Sequence, residues 1–261
     1  MARALVAALL GAALVVSASP VAHAAALDDA VARFRPSLVK DVDAALAGAK
    51  ALRERVAAHD LDGARKAWIA ARGGWERAEI FTADFVPDLD DAIDAWPNGA
   101  TGFHAIEVKL FAAGSTDVLA ETDALIANLT EVAAKARAMP LTPDGLYDGV
   151  ARLAYEVGDS KVDGGESRFS GTSLNDMRYN VEGIETAYGT IFAAALEAHD
   201  AKHAAAAKEY IAKLRTLVDI PDIKSADSDA LRATSEAFVV TLQDAALAIG
   251  LRKPTMEEKA N

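Results

Sequence analysis

The chain has 261 residues, 39 acidic against 27 basic side chains for a formal net charge of −12, and no cysteine. The acidic balance argues against nucleic acid and anionic membrane surfaces as partners and favours cations. The lack of cysteine excludes disulfides, thiolate metal ligands and a cysteine nucleophile.

At the N-terminus Arg3 precedes an apolar run from Ala4 to Val16, and Ala22-His23-Ala24 has the small-x-small form of a cleavage site. Residues 1–24 are expected to be a secretory signal peptide, cut after Ala24 or alternatively after Ala26. The apolar run is too short to span a bilayer, and no cysteine follows it, so neither a membrane helix nor a lipid anchor is expected. Cleavage removes Arg3 and no acidic residue, taking −12 to −13. The expected location of the mature chain is the periplasm or the exterior.

Leu27, Val31, Phe34, Leu38, Val42, Leu46, Ala49, Leu52 and Val56 step by three and four, which is helical. Pro36 either kinks that helix or starts its main part. Asp60 caps a second helix carrying Leu61, Ala64, Trp68, Ala71 and Trp75. Gly73-Gly74 inside it costs about 1 kcal/mol per glycine and points to a close helix approach or a kink beside Glu76. Residues 84–101 read as irregular, with Pro87, Pro97, Asn98 and Gly99 as breakers. A helical segment around His104 follows, then helices over 116–138 and 144–158 separated by Pro140 and Pro143. A glycine-rich loop spans 159–171. Met177, Val181, Ile184, Tyr188 and Ile191 mark a long helix, and helices near 201–218 and 228–250 flank Pro221. No strand pattern competes. The fold class is all-α, a helical bundle in two packed antiparallel halves over residues 25–255, with 256–261 a frayed tail.

Within Thr101–Phe111, Phe103, Ile106 and Leu110 form an apolar stripe. Glu107 falls inside that stripe and His104 at its edge. A carboxylate on a buried face is costly without a partner, and a metal ion with imidazole as second ligand is one such partner. Side chains three apart converge on one face. The helix of Trp68 and Trp75 repeats the anomaly, because Glu79 projects onto its stripe with Glu76 beside it. Two solutions satisfy these positions: a structural ion pair with Arg72, or a metal ion shared between the helices. Asp88, Asp90, Asp91 and Asp94 could close the shell, although the first three read more simply as solvated or capping. Glu166, Glu182 and Glu185 form a second acidic group, either a second metal site or an exposed helix face plus a loop residue. His59, Asp60 and Asp62 read as helix-end residues. The tryptophans read as core rather than as platforms for sugars. A His-Glu-x-x-His zinc helix, a Gly-x-Ser-x-Gly elbow and a phosphate-binding glycine loop are absent from the sequence.

These residues resemble the imelysin-like superfamily, and within it the EfeO/EfeM type of iron-uptake protein. Ala71-Arg72-Gly73-Gly74-Trp75-Glu76-Arg77-Ala78-Glu79 is similar to that group's Ala-Arg…Tyr-Glu-Arg-Ile-Glu segment. Phe85 with Asp88-Leu89-Asp90-Asp91-Ala92-Ile93-Asp94 resembles its Phe…Asp-Leu-Asp…Ile-Asp stretch. Gly102-Phe103-His104-Ala105-Ile106-Glu107 matches its Gly-x-His-x-x-Glu signature, and Lys161–Ser170 and Asn180-Val181-Glu182-Gly183 resemble two later blocks. The resemblance implies a helical bundle, export, and a metal site of His104, Glu107, Glu79 or Glu76, and Asp94. It departs in two ways. Longer EfeO proteins carry an N-terminal cupredoxin domain for which this chain has neither room nor a copper-type cysteine, and Trp96 replaces the family's arginine after Ile-Asp-Ala.

Three functions then compete. The first is a non-enzymatic, exported metal-binding component of an EfeUOB-like iron uptake system. Its oxygen and imidazole ligands suit Fe2+ or Fe3+ and are open to Zn2+ or Cu2+. By resemblance its partners are an inner-membrane iron permease and a periplasmic peroxidase. The second is a metallopeptidase of the imelysin type, with a glutamate of the 76/79 pair as general base at an open metal position. The third is a polysaccharide- or ligand-binding protein with a structural metal.

Overall fold

The computed structural model describes residues 20–95 and 101–255, with side chains from Ala24 onward. The expected leader falls almost entirely outside these residues, as do Trp96 and the tail 256–261. Helix α1 (Pro20–Ala57) begins four residues before the expected cleavage point and runs through Pro36 unbroken. Pro36 and Ala32 both face solvent, so water satisfies the carbonyl that proline leaves without a donor. Its neighbour Arg35 turns to α6 (Leu119–Ala138) and donates to Ala136 O at 2.6 Å and Met139 O at 3.0 Å, satisfying carbonyls at that helix end. Leu27, Val31, Phe34, Leu38, Val42, Ala45, Ala49, Leu52 and Val56 form the buried face of α1.

A tight turn leads to α2 (Leu61–Ala78), whose cap Asp60 accepts from Gly63 N at 2.9 Å. At Gly74 a Cβ would lie 2.5 Å from Ala45 N and 2.6 Å from Asp41 O, so only glycine lets α1 and α2 approach this closely. A 3-10 turn (Glu79–Phe81) continues into α3 (Thr82–Phe85) and α4 (Pro87–Asp94). The stretch expected to be irregular from residue 84 is therefore helical over much of its length. Pro87 sits in the first turn of α4, where its missing N–H costs nothing and its fixed φ starts the helix. α5 (Gly102–Glu107) opens on Gly102 at φ +73° and passes into a π-helical turn (Val108–Ala112).

The second half contains α7 (Pro143–Gly158), a pinned loop over 159–172, and α8 (Ser173–Ala187), which continues through a π-helical turn (Tyr188–Phe192) into α9 (Ala193–His199). α10 (Ala201–Val218) and α11 (Ser228–Ala245) complete it. α1, α2 and α6 pack together in the first half, with α4 and α5 lying against α6. α7, α8, α10 and α11 pack in the second. The halves meet where α2 lies on α8 and α7 lies on the Glu79–Phe81 turn. Among the described residues there is no strand, and no helix is long and apolar enough to cross a membrane.

Candidate metal centre

The α2 stripe that buries Trp68 and Trp75 also carries Arg72 and Glu76, one turn apart, and points into the seam between the halves. Glu79 follows in the 3-10 turn. Asp94 arrives from the C-terminal end of α4, His104 and Glu107 from α5, Lys161, Glu166, Ser167 and Ser170 from the 159–172 loop, and Asp176 and Asn180 from α8. Six carboxylates thus surround three basic groups: Arg72, Lys161 and His104.

Arg72, fully buried, ion-pairs with Glu76 and Asp94 and lies 3.2 Å from Glu166 and 3.5 Å from Asp176. Its guanidinium is held over Phe103 at 5.4 Å and Trp68 at 5.8 Å from the ring centroids. Trp75 Nε1 donates to Asp94 Oδ2 at 2.8 Å. Lys161 Nζ reaches Glu76 Oε2 at 2.9 Å, Glu79 Oε2 at 3.1 Å and Glu166 Oε1 at 3.4 Å. Asn180 Nδ2 donates to the same two glutamate oxygens, at 2.9 and 2.7 Å.

His104 Nδ1 faces Glu107 Oε2 at 3.4 Å, while Nε2 lies 3.1 Å from Asp94 Oδ1 and 3.8 Å from Glu166 Oε1 without an aligned hydrogen bond. Glu107 Oε1 is tied down by Ser170, whose N–H and Oγ both donate at 2.8 Å. Glu107 therefore orients the imidazole through Nδ1 and leaves Nε2 aimed at Asp94 and Glu166, an arrangement typical of a ligating histidine and its carboxylate support. Ligand atoms of Asp94, His104 and Glu166 lie within 4.8 Å of one another, as do those of Glu76, Glu79 and Asp94. The donor set is oxygen-rich with one imidazole, which fits a hard or borderline cation.

The charges respond to each other across this buried seam. Burial disfavours charge on His104, but the Asp94 carboxylate 3.1 Å from Nε2, with Glu107 and Glu166 close by, outweighs it and raises its pKa to about 11. Burial would raise Asp94, yet Arg72 and His104 hold it well below the usual carboxylate range. Glu166 is likewise held down at about 2, against burial, by Lys161, His104 and Arg72. Burial and the charge of Glu76 push Glu79 well up, against the pull of Lys161. Burial pushes Asp176 up to about 7, with Arg72 opposing.

The structure brings Glu76, Glu79, Asp94, His104 and Glu107 to one seam, but Glu107 lies outside both convergent groups because its oxygens serve His104 and Ser170. Glu166 does not stand with Glu182 and Glu185. It joins His104, whereas Glu182 lies 3.5 Å from Arg77 and Glu185 pairs with Arg215 at the surface. Both are side-chain exposed, so water and one arginine each suffice, and neither belongs to a convergent ligand group among the described residues. Asp90 faces Arg152 at 3.8 Å, away from these groups. His59 sits at a helix end at φ +54°, beside Thr116. Trp68 and Trp75 are fully buried and offer no face to a sugar. Lys161, Asp176 and Ser170 had no site role in the sequence reading. Asp176 and Asn180 flank the Met177–Val181–Ile184 stripe, a legible signal; Lys161 and Ser170 lie in a loop, where periodicity carries none.

Comparison with known proteins supplies the family. The imelysin (peptidase M75) family model matches residues 30–100 and 98–251. An EfeM/EfeO family lipoprotein of Staphylococcus haemolyticus is 30% identical, the match covering 75% of this chain and 71% of that protein. The iron uptake system component EfeM of Bacillus subtilis is 32% identical over 54% of this chain, and EfeO of Yersinia pseudotuberculosis is 31% identical over 62%. The chain spans less than half of these two relatives, 38% and 46% of their lengths. A crystal structure from Parabacteroides distasonis, assigned as an iron-regulated protein A precursor, superposes with a TM-score of 0.66 at 16% identity, covering 87% of this chain and 95% of that one. The buried histidine–carboxylate seam thus belongs to a chain of the imelysin family, of the EfeM/EfeO type.

Proposed function

We propose that this protein is an exported iron-binding component of an EfeUOB-like uptake system, holding Fe2+ or Fe3+ as cargo at the seam. The observation that carries this reading is the convergence of Asp94, His104 Nε2 and Glu166, with Nε2 oriented and lacking an aligned hydrogen bond. The iron uptake names of EfeM and EfeO support the choice of iron. Zn2+ and Cu2+ bind the same donors by the Irving–Williams order, so selectivity rests on supply and on the oxygen-rich shell. Asp94, His104 and Glu166 hold the ion, Glu107 orients the imidazole, and Glu76 and Glu79 line the adjoining group. Loading exchanges a proton for the ion at His104, since an imidazolium has no lone pair to give. The N-terminal leader directs export, and the inner-membrane permease and periplasmic peroxidase of the resemblance are the proposed partners.

The family name carries a peptidase reading. Against it, His104, Glu76, Glu79 and Glu107 are all more than nine-tenths buried, which suits enclosing an ion better than presenting a metal-bound water to a polypeptide. Equilibrium dialysis with iron decides between them. The uptake reading expects tight binding lost in Asp94→Asn/Glu166→Gln together with no chelator-sensitive peptide cleavage. Cleavage that tracks the metal would overturn it.

A further inference from the structure

Arg72 touches both convergent groups, through their shared Asp94 and through Glu76 on one side and Glu166 on the other, but the group of Glu76 and Glu79 holds a second cation on both of its glutamates. Lys161 Nζ is about as close to Glu76 Oε2 and Glu79 Oε2 as a hydrogen bond allows, and 3.4 Å from Glu166 Oε1. Its side chain is 3% exposed. A buried ammonium is strongly disfavoured unless its partners are fixed, and here they are. Asn180 Nδ2 holds the same Glu76 and Glu79 oxygens, and the loop that carries Lys161 is pinned by Lys161 N to Glu156 O at 3.0 Å, Ser173 Oγ to Gly164 O at 2.9 Å and Ser167 Oγ to Asp176 Oδ2 at 2.5 Å. His104 Nε2, by contrast, is buried in the other group with no aligned partner.

We infer that the seam contains a second cation subsite, formed by Glu76, Glu79 and Asp94, which the tethered ammonium of Lys161 fills, so that the chain takes one metal ion instead of two. Lys161 acts as a resident cation that sets stoichiometry. It keeps the acidic shell from collecting a second ion and leaves the His104 group as the loading position. This rests on the reading of the His104 group as a metal site.

The test is Mn2+ stoichiometry by equilibrium dialysis, with electron paramagnetic resonance of the loaded protein. Wild type should bind one Mn2+ per chain with the signal of an isolated ion. Lys161→Gln should bind two and show the exchange-coupled signal of a close pair. Lys161→Gln/Glu79→Gln, which also removes a ligand of the second subsite, should return to one. If Lys161→Gln is unfolded without metal, Mn2+ should restore its circular dichroism, because the second ion takes the place of the ammonium. One ion in folded, saturated Lys161→Gln overturns the inference, as do two ions in wild type or a variant that Mn2+ cannot refold. A wild type that binds none sinks the metal-site reading itself, which separates the two failures.

Discussion

Two arginines five residues apart on α2 make the same kinds of contacts with opposite consequences. Arg72 lies among Glu76, Asp94, Glu166 and Asp176 with no solvent exposure. Arg77 lies between Asp41 at 2.8 Å and Glu182 at 3.5 Å, on the rim of a polar surface cleft of about 520 Å³ that also holds Lys40, Glu185 and Arg215. At the rim water screens each charge, and acid and base are matched. In the seam the side chains are buried away from bulk solvent, and acids outnumber bases. An acidic residue beside an arginine is therefore not informative in itself. What sets the seam apart is the excess of acid over base in buried surroundings.

The comparison can be broken most forcefully at its centre. Arg72→Ala strands several buried carboxylates and should cost about 3–5 kcal/mol of stability, whereas Arg77→Ala should cost no more than about 1 kcal/mol. Urea denaturation of both variants would show whether burial, and not contact chemistry, sets the scale. Cation affinity should also respond to pH. Asp94 and the neighbouring carboxylates raise the pKa of His104 to about 11, so binding of a cation at neutral pH should expel its proton. Lower pH then strengthens the competing proton, and affinity should fall about tenfold per pH unit as pH drops from 8 to 6. Calorimetry in buffers of different ionisation enthalpy should find about one proton released per ion, and a pH-independent affinity would remove His104 from the ligand set.

Smaller effects sharpen the boundary between the two regions. His104→Ala or Glu107→Ala should weaken iron binding at least tenfold, about 1.4 kcal/mol, and shrink the metal-dependent rise in melting temperature. Glu182→Gln and Glu185→Gln should change neither quantity, and loss of affinity in either would return the surface group to the site. Ser170→Ala removes one of two donors to Glu107 Oε1. It should weaken binding only a few-fold, about 0.5–1 kcal/mol, and an effect as large as that of Glu107→Ala would mean that Ser170 organises the whole loop.

The sequence by itself carried the helical architecture, because the apolar positions of α1 and α2 recur at helical spacing and their burial in the structure follows that period residue by residue. It also carried the presence of charge in the core: Glu79 and Glu107 stand on stripes where only a paired or ligating carboxylate is stable. Gly73-Gly74 signalled either a close helix approach or a kink, and the structure shows the first, Gly74 against α1 and Gly73 against Tyr179 of α8. It misjudged Pro87, which read as a breaker but starts α4, because a proline's effect depends on where in a helix it falls.

What only tertiary structure decided is which charges meet. Glu166 and Lys161 reach the seam from a loop without periodicity, Asp176 and Asn180 from a helix far along the chain from Glu76 and Arg72, and Asp94 from the end of a helix that the sequence left irregular. Periodicity reports only which face of a helix is buried. The electrostatic balance of the seam depends on distances between segments far apart in the chain, and those are set by how two helical halves dock.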